Sequence, residues 1–306
     1  MKRVAVLINP RSRGGNEPAI ERDVVSALAG AKVAIVREQS ADAALAALRR
    51  EVSGGAAGVV AVGGDGTVNL ALQAVSGTGV ALAIVPRGTA NDLASELGIP
   101  SSLAGACAAI RYGSRRPLDL LSVNGRVFAT AGGLGLPSDV AESANAVRRL
   151  VESFRPARAL VRSFGSGIYS VLLAGKLLQP GSLLRRVRVV WSGGRMSSRT
   201  ALVLCNNQPG LGANFVVAPG TCNHDGRFRV TVFRDTARVC LARTLGSLRL
   251  GRVLAEPQIR SFESDQVRIE SRDGRALTFM GDGEILARSL DLTISCLPEA
   301  AYVVAA

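Results

Sequence analysis

The chain has 306 residues, 47% of them hydrophobic and 20% charged, with 34 Gly and 12 Pro. Length and composition exclude disordered, collagen-like and low-complexity classes and suit about two domains. The formal charge of +13 is carried almost wholly by arginine, since only Lys2, Lys32 and Lys176 are lysines, and it points to nucleotides, nucleic acid or an anionic membrane as partner.

The start, Met1 to Pro10, has too short an apolar core for a signal peptide. No apolar run approaches the ~18 residues of a membrane span, so the chain reads as soluble and cytoplasmic. Val4–Ile8, Lys32–Val36, Gly58–Val62 and Val80–Val85 read as strands. Helical segments follow them, among them Glu17–Leu28 and a helix opened by Ser40 and Asp42 that runs to about Glu51. Apolar strands alternating with amphipathic helices predict a parallel sheet covered on both faces, with ligands at the strands' carboxyl ends.

After about Asp119 the texture changes. Leu120–Thr130, Leu184–Trp191, Thr200–Asn206, Arg227–Phe233, Gln266–Ile269, Ala276–Met280 and Leu290–Ser295 read as short strands between turns, with helix only over Ala141–Leu178 and Ala237–Leu250. This predicts an antiparallel β domain with helical insertions. The five cysteines form no C-x-x-C pair and His224 is the only histidine, so they read as reduced core residues rather than a zinc site.

Three segments at strand ends carry chemistry. Asn9-Pro10-Arg11-Ser12-Arg13-Gly14-Gly15 could point backbone N–H groups at an anion, although an ordinary turn would look much the same. Gly63-Gly64-Asp65-Gly66-Thr67-Val68-Asn69 is neither a Walker A loop nor a G-x-G-x-x-G fingerprint. Its glycines allow close approach to phosphate, Thr67 can cap the next helix, and Asp65 suggests a bridging Mg²⁺. Gly88-Thr89-Ala90-Asn91-Asp92 is a second glycine loop opening a helix, and the two loops can converge on one crevice.

Together with Asp282-Gly283-Glu284 far downstream, these segments resemble the diacylglycerol kinase catalytic family, which includes sphingosine, ceramide and bacterial lipid kinases. The resemblance implies a nucleotide-binding α/β domain over residues 1–119, akin to the NAD kinase and phosphofructokinase variant of the Rossmann fold. It also implies an antiparallel β-sandwich lipid-substrate domain over 120–297, and a tail, about 298–306, that returns to the first domain. ATP would be held by Asn9, Pro10, Ser12, Gly14, Gly63, Gly64, Asp65, Gly66, Thr67, Asn69, Gly88 and Thr89. Asp65, Asp92 and Asp282 would surround the catalytic Mg²⁺, and Glu284 would accept the proton of a lipid hydroxyl such as that of diacylglycerol. A structural Mg²⁺ would sit at Asp225 with the carbonyls of Cys222 and Arg227, Asp119 joining indirectly. A plain β-turn is the competing reading of that last segment.

The sequence departs from the family at Leu70, where a Glu is usual, and at Arg37, where a nucleotide-contacting Thr is usual. The competing functions are an NAD kinase-like small-molecule kinase and a non-catalytic nucleotide or lipid sensor. Few aromatics and no recognisable module disfavour nucleic acid. Oligomeric state is open, a homodimer included. The arginine-rich segment Arg148 to Arg199 is expected to hold the enzyme peripherally on anionic membranes.

Overall fold

The computed structural model describes residues 2–10, 12, 17–140, 184–210, 216–235, 237–249 and 257–305, with Glu142, Ser143, Ala146, Leu172, Gly175 and Lys176 besides. Gly14, most of the expected 141–178 helical insertion, and Arg148, Arg149, Arg155, Arg158 and Arg162 lie outside the described residues.

The first half alternates strand and helix: β1 (Arg3–Ile8), α1 (Pro18–Ala27), β2 (Lys32–Val36), α2 (Ala41–Ser53), β3 (Gly58–Gly63), α3 (Asp65–Val75), β4 (Ala81–Pro86), α4 (Asp92–Glu96) and α5 (Leu103–Tyr112). Local chemistry sets several helix starts. Pro18 stands at the start of α1, the Ser40 hydroxyl accepts the Ala43 N–H at 3.2 Å, and the Ser102 hydroxyl accepts that of Gly105 at 3.2 Å. The strands pair in parallel in the order β2-β1-β3-β4. Residues alternate between two cores. Ala5, Leu7, Val59 and Ala61 pack with α2 and α3, whereas Val4, Val6, Val60 and Val62 pack with Ile20, Val24 and Ala106 of α1 and α5.

The second half is antiparallel: β5 (Ser114–Val123), β6 (Arg126–Phe128), β7 (Ala131–Gly135), β8 (Arg185–Trp191), β9 (Gly194–Asn206), β10 (Phe228–Arg234), α6 (Arg238–Arg249), β11 (Ile259–Ser264), β12 (Gln266–Ser271), β13 (Leu277–Gly281), β14 (Glu284–Ser289) and β15 (Asp291–Ala305). Its sandwich core holds Leu121, Phe128, Val189, Val203, Phe279 and Ile294, with the Phe128 and Phe279 rings 5.6 Å apart. The expected strand Leu120–Thr130 is broken by Asn124-Gly125, both at positive φ (48° and 85°), a two-residue hairpin turn that makes β5 and β6 separate strands.

Two strands join the halves. β5 runs through Asp119, and β15 pairs antiparallel with β12 and β5, then parallel with β4 at Tyr302–Val304. Between these stretches β15 carries an irregularity from Leu297 to Ala301, with Glu299 at φ 49°. The buried Asp119 carboxylate holds it, accepting the Glu299 N–H at 2.8 Å and the Gly226 N–H at 2.7 Å. No helix of the described residues is long and apolar enough to cross a membrane.

Candidate active site

The two glycine loops meet. A Cβ on Gly88 would lie 2.5 Å from the Gly64 Cα, and one on Gly64 would lie 2.9 Å from the Gly88 Cα, so neither position has room for a side chain. Asn91 holds the second loop from a left-handed conformation (φ 54°). Its Oδ1 accepts the Gly88 N–H at 2.8 Å and its Nδ2 donates to the Gly88 carbonyl at 3.1 Å. Sequence reasoning quoted Asn91 without giving it a role, although Asn is the residue most tolerant of that conformation after glycine.

Asp65 locks the loops together. Its carboxylate accepts the Asp92 N–H at 2.7 Å and the Asn91 N–H at 3.0 Å, at the start of α4. The expected cap role of Thr67 is corrected. Gly64 is the N-cap of α3, and Thr67 lies buried in the first turn, where its Oγ1 accepts Asn9 Nδ2 at 3.1 Å. Asn9 thus ties the end of β1 to α3, and the Ser12 hydroxyl donates back to the Asn9 carbonyl at 2.8 Å. Pro10 is half-buried beside them, while Gly66 and Thr89 are exposed.

Across from these loops stands the β13–β14 turn. Asp282, at φ 49°, accepts four hydrogen bonds: from Asn69 Nδ2, the Ala129 N–H and the Thr130 N–H, each at 2.9 Å, and from Thr130 Oγ1 at 2.6 Å. Asn69, itself buried, also accepts from Gln73 Nε2 at 3.3 Å, and Gln73 donates to the Val127 carbonyl. Asn69 and Asp282 therefore join α3 of the first domain to the second. Neither Gln73 nor Thr130 carried a signal in the sequence. Glu284 opens β14 two residues after Asp282 and is exposed. At the end of β9, opposite Ala131, the buried Asn206 side chain has no hydrogen-bond partner on either polar atom.

Asp92 is the strained acid of this corner. Burial, then the charges of Asp65 and Asp282, push its carboxyl up to about 6. Its Oδ1 is buried with no hydrogen-bond partner. An orphaned carboxylate oxygen among like charges is the donor chemistry that a hard cation satisfies. Among the described residues no three Asp, Glu, His or Cys side chains stand close enough to hold one ion by themselves. Of Asp65, Asp92 and Asp282, only Asp92 keeps a buried oxygen without a hydrogen-bond partner.

The other expected metal point lies elsewhere. Asp225 is exposed, and its Oδ1 accepts the Arg227 N–H at 2.9 Å, a turn closed by its own side chain. The Cys222 thiol is raised by burial and by its hydrogen bond with Asp225. Both Asp119 oxygens accept backbone N–H groups, of Gly226 and Glu299, which ties this turn to β15. Arg37 forms an ion pair with Glu21 at 3.0 Å, and Leu70 packs against the α2–α3 core.

Residues 3–123 match the model of the diacylglycerol kinase catalytic domain, and residues 133–305 match that of the YegS C-terminal NAD kinase beta sandwich-like domain. The diacylglycerol kinase of Mycobacterium tuberculosis H37Rv is 27% identical over 312 residues, covering 98% of this chain and 94% of its own. A protein of Synechocystis named sll0036, of uncharacterized function, is 38% identical over 87 residues, which are 28% of this chain and 20% of its own length. In fold, the crystal structure of a diacylglycerol kinase from Bacillus anthracis Sterne gives a TM-score of 0.70 at 19% identity, covering 100% of this chain and 97% of its own. A second structure from that strain reaches 0.80 at 22%, covering 100% and 95%. The two models follow one another along nearly the whole chain, and the chain belongs to the lipid-kinase family that pairs a diacylglycerol kinase catalytic domain with a YegS-type C-terminal β-sandwich.

Proposed function

We propose that this chain is an ATP- and Mg²⁺-dependent kinase that transfers the γ-phosphate of ATP to a lipid hydroxyl such as that of diacylglycerol. The observation that carries this reading is the Asp92 corner: an orphaned, elevated carboxylate between two acids, beside two glycine loops in backbone contact.

Phosphoryl transfer is mainly positioning and charge neutralisation, and Mg²⁺ supplies the neutralisation of phosphate charge when bound. The loops of Gly63 to Asn69 and Gly88 to Thr89, with Asn9, Pro10 and Ser12, form the nucleotide cradle in this reading. Gly64 and Gly88 let the two loops pack backbone against backbone. Asp65 fixes the two loops at one spacing through its two backbone contacts. Asp92 offers its unpartnered oxygen to the cation. Asp282 acts through its four hydrogen bonds, holding the turn that presents Glu284 rigidly against α3. Glu284 is exposed, and it is assigned as the base that takes the acceptor hydroxyl's proton.

A panel of acceptor lipids (diacylglycerol, phosphatidylglycerol, a sphingoid base and undecaprenol) incubated with γ-labelled ATP tests this reading. Label in one lipid product, dependent on Mg²⁺, supports it. Label in no lipid, with NAD phosphorylated instead, replaces it with the NAD kinase alternative.

A further inference from the structure

An arginine-lined groove lies on the β-sandwich, away from the two glycine loops. β8 and β9 pair antiparallel with Arg186 opposite Arg199, Arg188 opposite Ser197 and Val190 opposite Arg195. Val187 and Val189 face the core at 1% and 0% exposure, so the two-residue period of the strand turns Arg186 and Arg188 outward. Arg272 joins them from the end of β12, where its N–H donates to the Arg186 carbonyl at 2.8 Å. These groups line an open groove of about 910 Å³.

The groove is built against its own stability. Like charges directly opposite one another across two strands repel, and Arg186 and Arg199 are such a pair. Five guanidinium groups line the groove against one carboxylate, Asp235. That carboxylate reaches Arg199 only at 3.8 Å, with both side chains 58% exposed. Glu270 stands near, but it is shared between Arg272 at 2.9 Å, Arg268 at 3.6 Å and Arg188 at 3.9 Å. Among the described residues Arg186 and Arg195 make no ion pair. Ser197, paired with Arg188, puts a hydroxyl on the same face of the two strands.

We infer that this β8–β9 groove is a docking surface for the phosphate headgroups of an anionic phospholipid bilayer. Guanidinium forks match phosphate oxygens in geometry as well as charge. Among the described residues the lining contains no aromatic ring, whereas single-stranded nucleic acid is held by stacking on such rings. Along β9, Arg199 is seven residues from Asn206, roughly 23 Å at the usual strand rise, and Asn206 pairs with Ala131, whose carbonyl accepts the Asp282 N–H. The groove thus belongs to a surface separate from the reacting corner. It would orient the sandwich on the bilayer that holds the acceptor, and in that respect the choice of a bilayer rests on the lipid-kinase reading.

The test is co-sedimentation of the full chain with vesicles of phosphatidylcholine alone, and of phosphatidylcholine mixed with an equal part of phosphatidylglycerol. The expected result is binding to the mixed vesicles only, weakening as salt rises. A triple Arg186→Gln, Arg195→Gln, Arg199→Gln variant should bind at least tenfold less, since each arginine near such a surface is worth roughly fivefold before screening. The matching triple Lys variant keeps the charge and should keep most of the binding, which separates docking from misfolding. Phosphorylation of a short-chain, water-soluble diacylglycerol should be equal in parent and Gln variant; its absence from both would count against the kinase reading and not against the groove. Equal vesicle binding by parent and Gln variant, or equal binding of the parent to both vesicle types, overturns the inference. So does binding of an oligonucleotide at the groove by a parent that ignores both vesicles.

Discussion

Asp65 and Asp92 stand on separate glycine loops, and the carboxylate of the first accepts the backbone N–H of the second at 2.7 Å. Asp65 is thereby satisfied while the Asp92 carboxyl, left with a buried unpartnered Oδ1, is driven up to about 6 from an ordinary 3.8. Between about pH 4 and pH 6 the native chain keeps a proton that the unfolded chain has shed. This group's stabilising contribution is therefore full below about pH 4 and is lost as pH rises through 6. Asp92→Asn should remove that fall, so the variant gains on the parent as pH rises across the window. Added Mg²⁺ at neutral pH should raise the melting temperature of the parent more than that of the variant. Melting curves across the window check it, and parallel curves for both proteins would show that Asp92 is not the strained acid.

The close approach of Gly64 and Gly88 makes Gly88→Ala a sharp substitution. Its Cβ would meet the Gly64 Cα at 2.5 Å and Asn91 Oδ1 at 2.8 Å. The loops must part, at a stability cost of about 1–3 kcal/mol, and the phosphate cradle should widen with them. Calorimetric titration with Mg-ATP is expected to show at least tenfold weaker binding. Parent-like affinity would mean that the two loops do not share one ligand.

Asp282→Ala should behave as the loss of a domain latch. It strips the acceptor from Asn69, the Ala129 N–H and both donors of Thr130 at once. Unpaired donors in that partly buried corner are expected to cost about 2–4 kcal/mol. Urea unfolding measures it, and a loss below about 0.5 kcal/mol, the range of ordinary surface changes, would contradict the latch.

Much of this was legible in the sequence. Lys32–Val36 is a strand with the expected limits because a β-branched run stands between clear breakers, and the glycine loops fall at strand ends where parallel sheets bind ligands. Other elements carried no period. β7, Ala-Gly-Gly-Leu-Gly, lacks the side chains that mark a strand because its neighbours crowd it. A Cβ on Gly132 would lie 2.6 Å from the Met280 carbonyl oxygen, and one on Gly133 would lie 2.5 Å from that of Val203. β11 and β14 are mixed polar and apolar stretches whose pairing with β10 and β13 decides their conformation. The Asn69–Asp282 contact spans 213 positions, so only the folded chain brings the two together.

The turn at Asp225 gives an independent test of a second Mg²⁺. An ion bound only by the folded chain stabilises it by about RT ln(1 + [Mg²⁺]/Kd), so the melting temperature must climb with metal concentration. Asp92→Asn removes the contribution of the catalytic corner, and in that background a residual Mg²⁺-dependent rise that Asp225→Ala abolishes is the expected result. A background that ignores Mg²⁺ would leave Asp225 as a turn residue, closed by its contact to the Arg227 N–H.

The most direct test is the rate of label transfer from γ-labelled ATP to diacylglycerol in detergent micelles, measured for the parent and for Glu284→Gln at saturating lipid. Glu284 is exposed at the start of β14, so the substitution should leave the fold and Mg-ATP affinity unchanged. The parent is expected to form phosphorylated lipid, and the variant to turn over about 10²–10⁴-fold more slowly, the usual effect of losing a general base. A variant as fast as the parent would contradict proton transfer at Glu284, and a parent that binds Mg-ATP yet labels neither diacylglycerol nor any other lipid of the panel would contradict lipid phosphorylation at this corner.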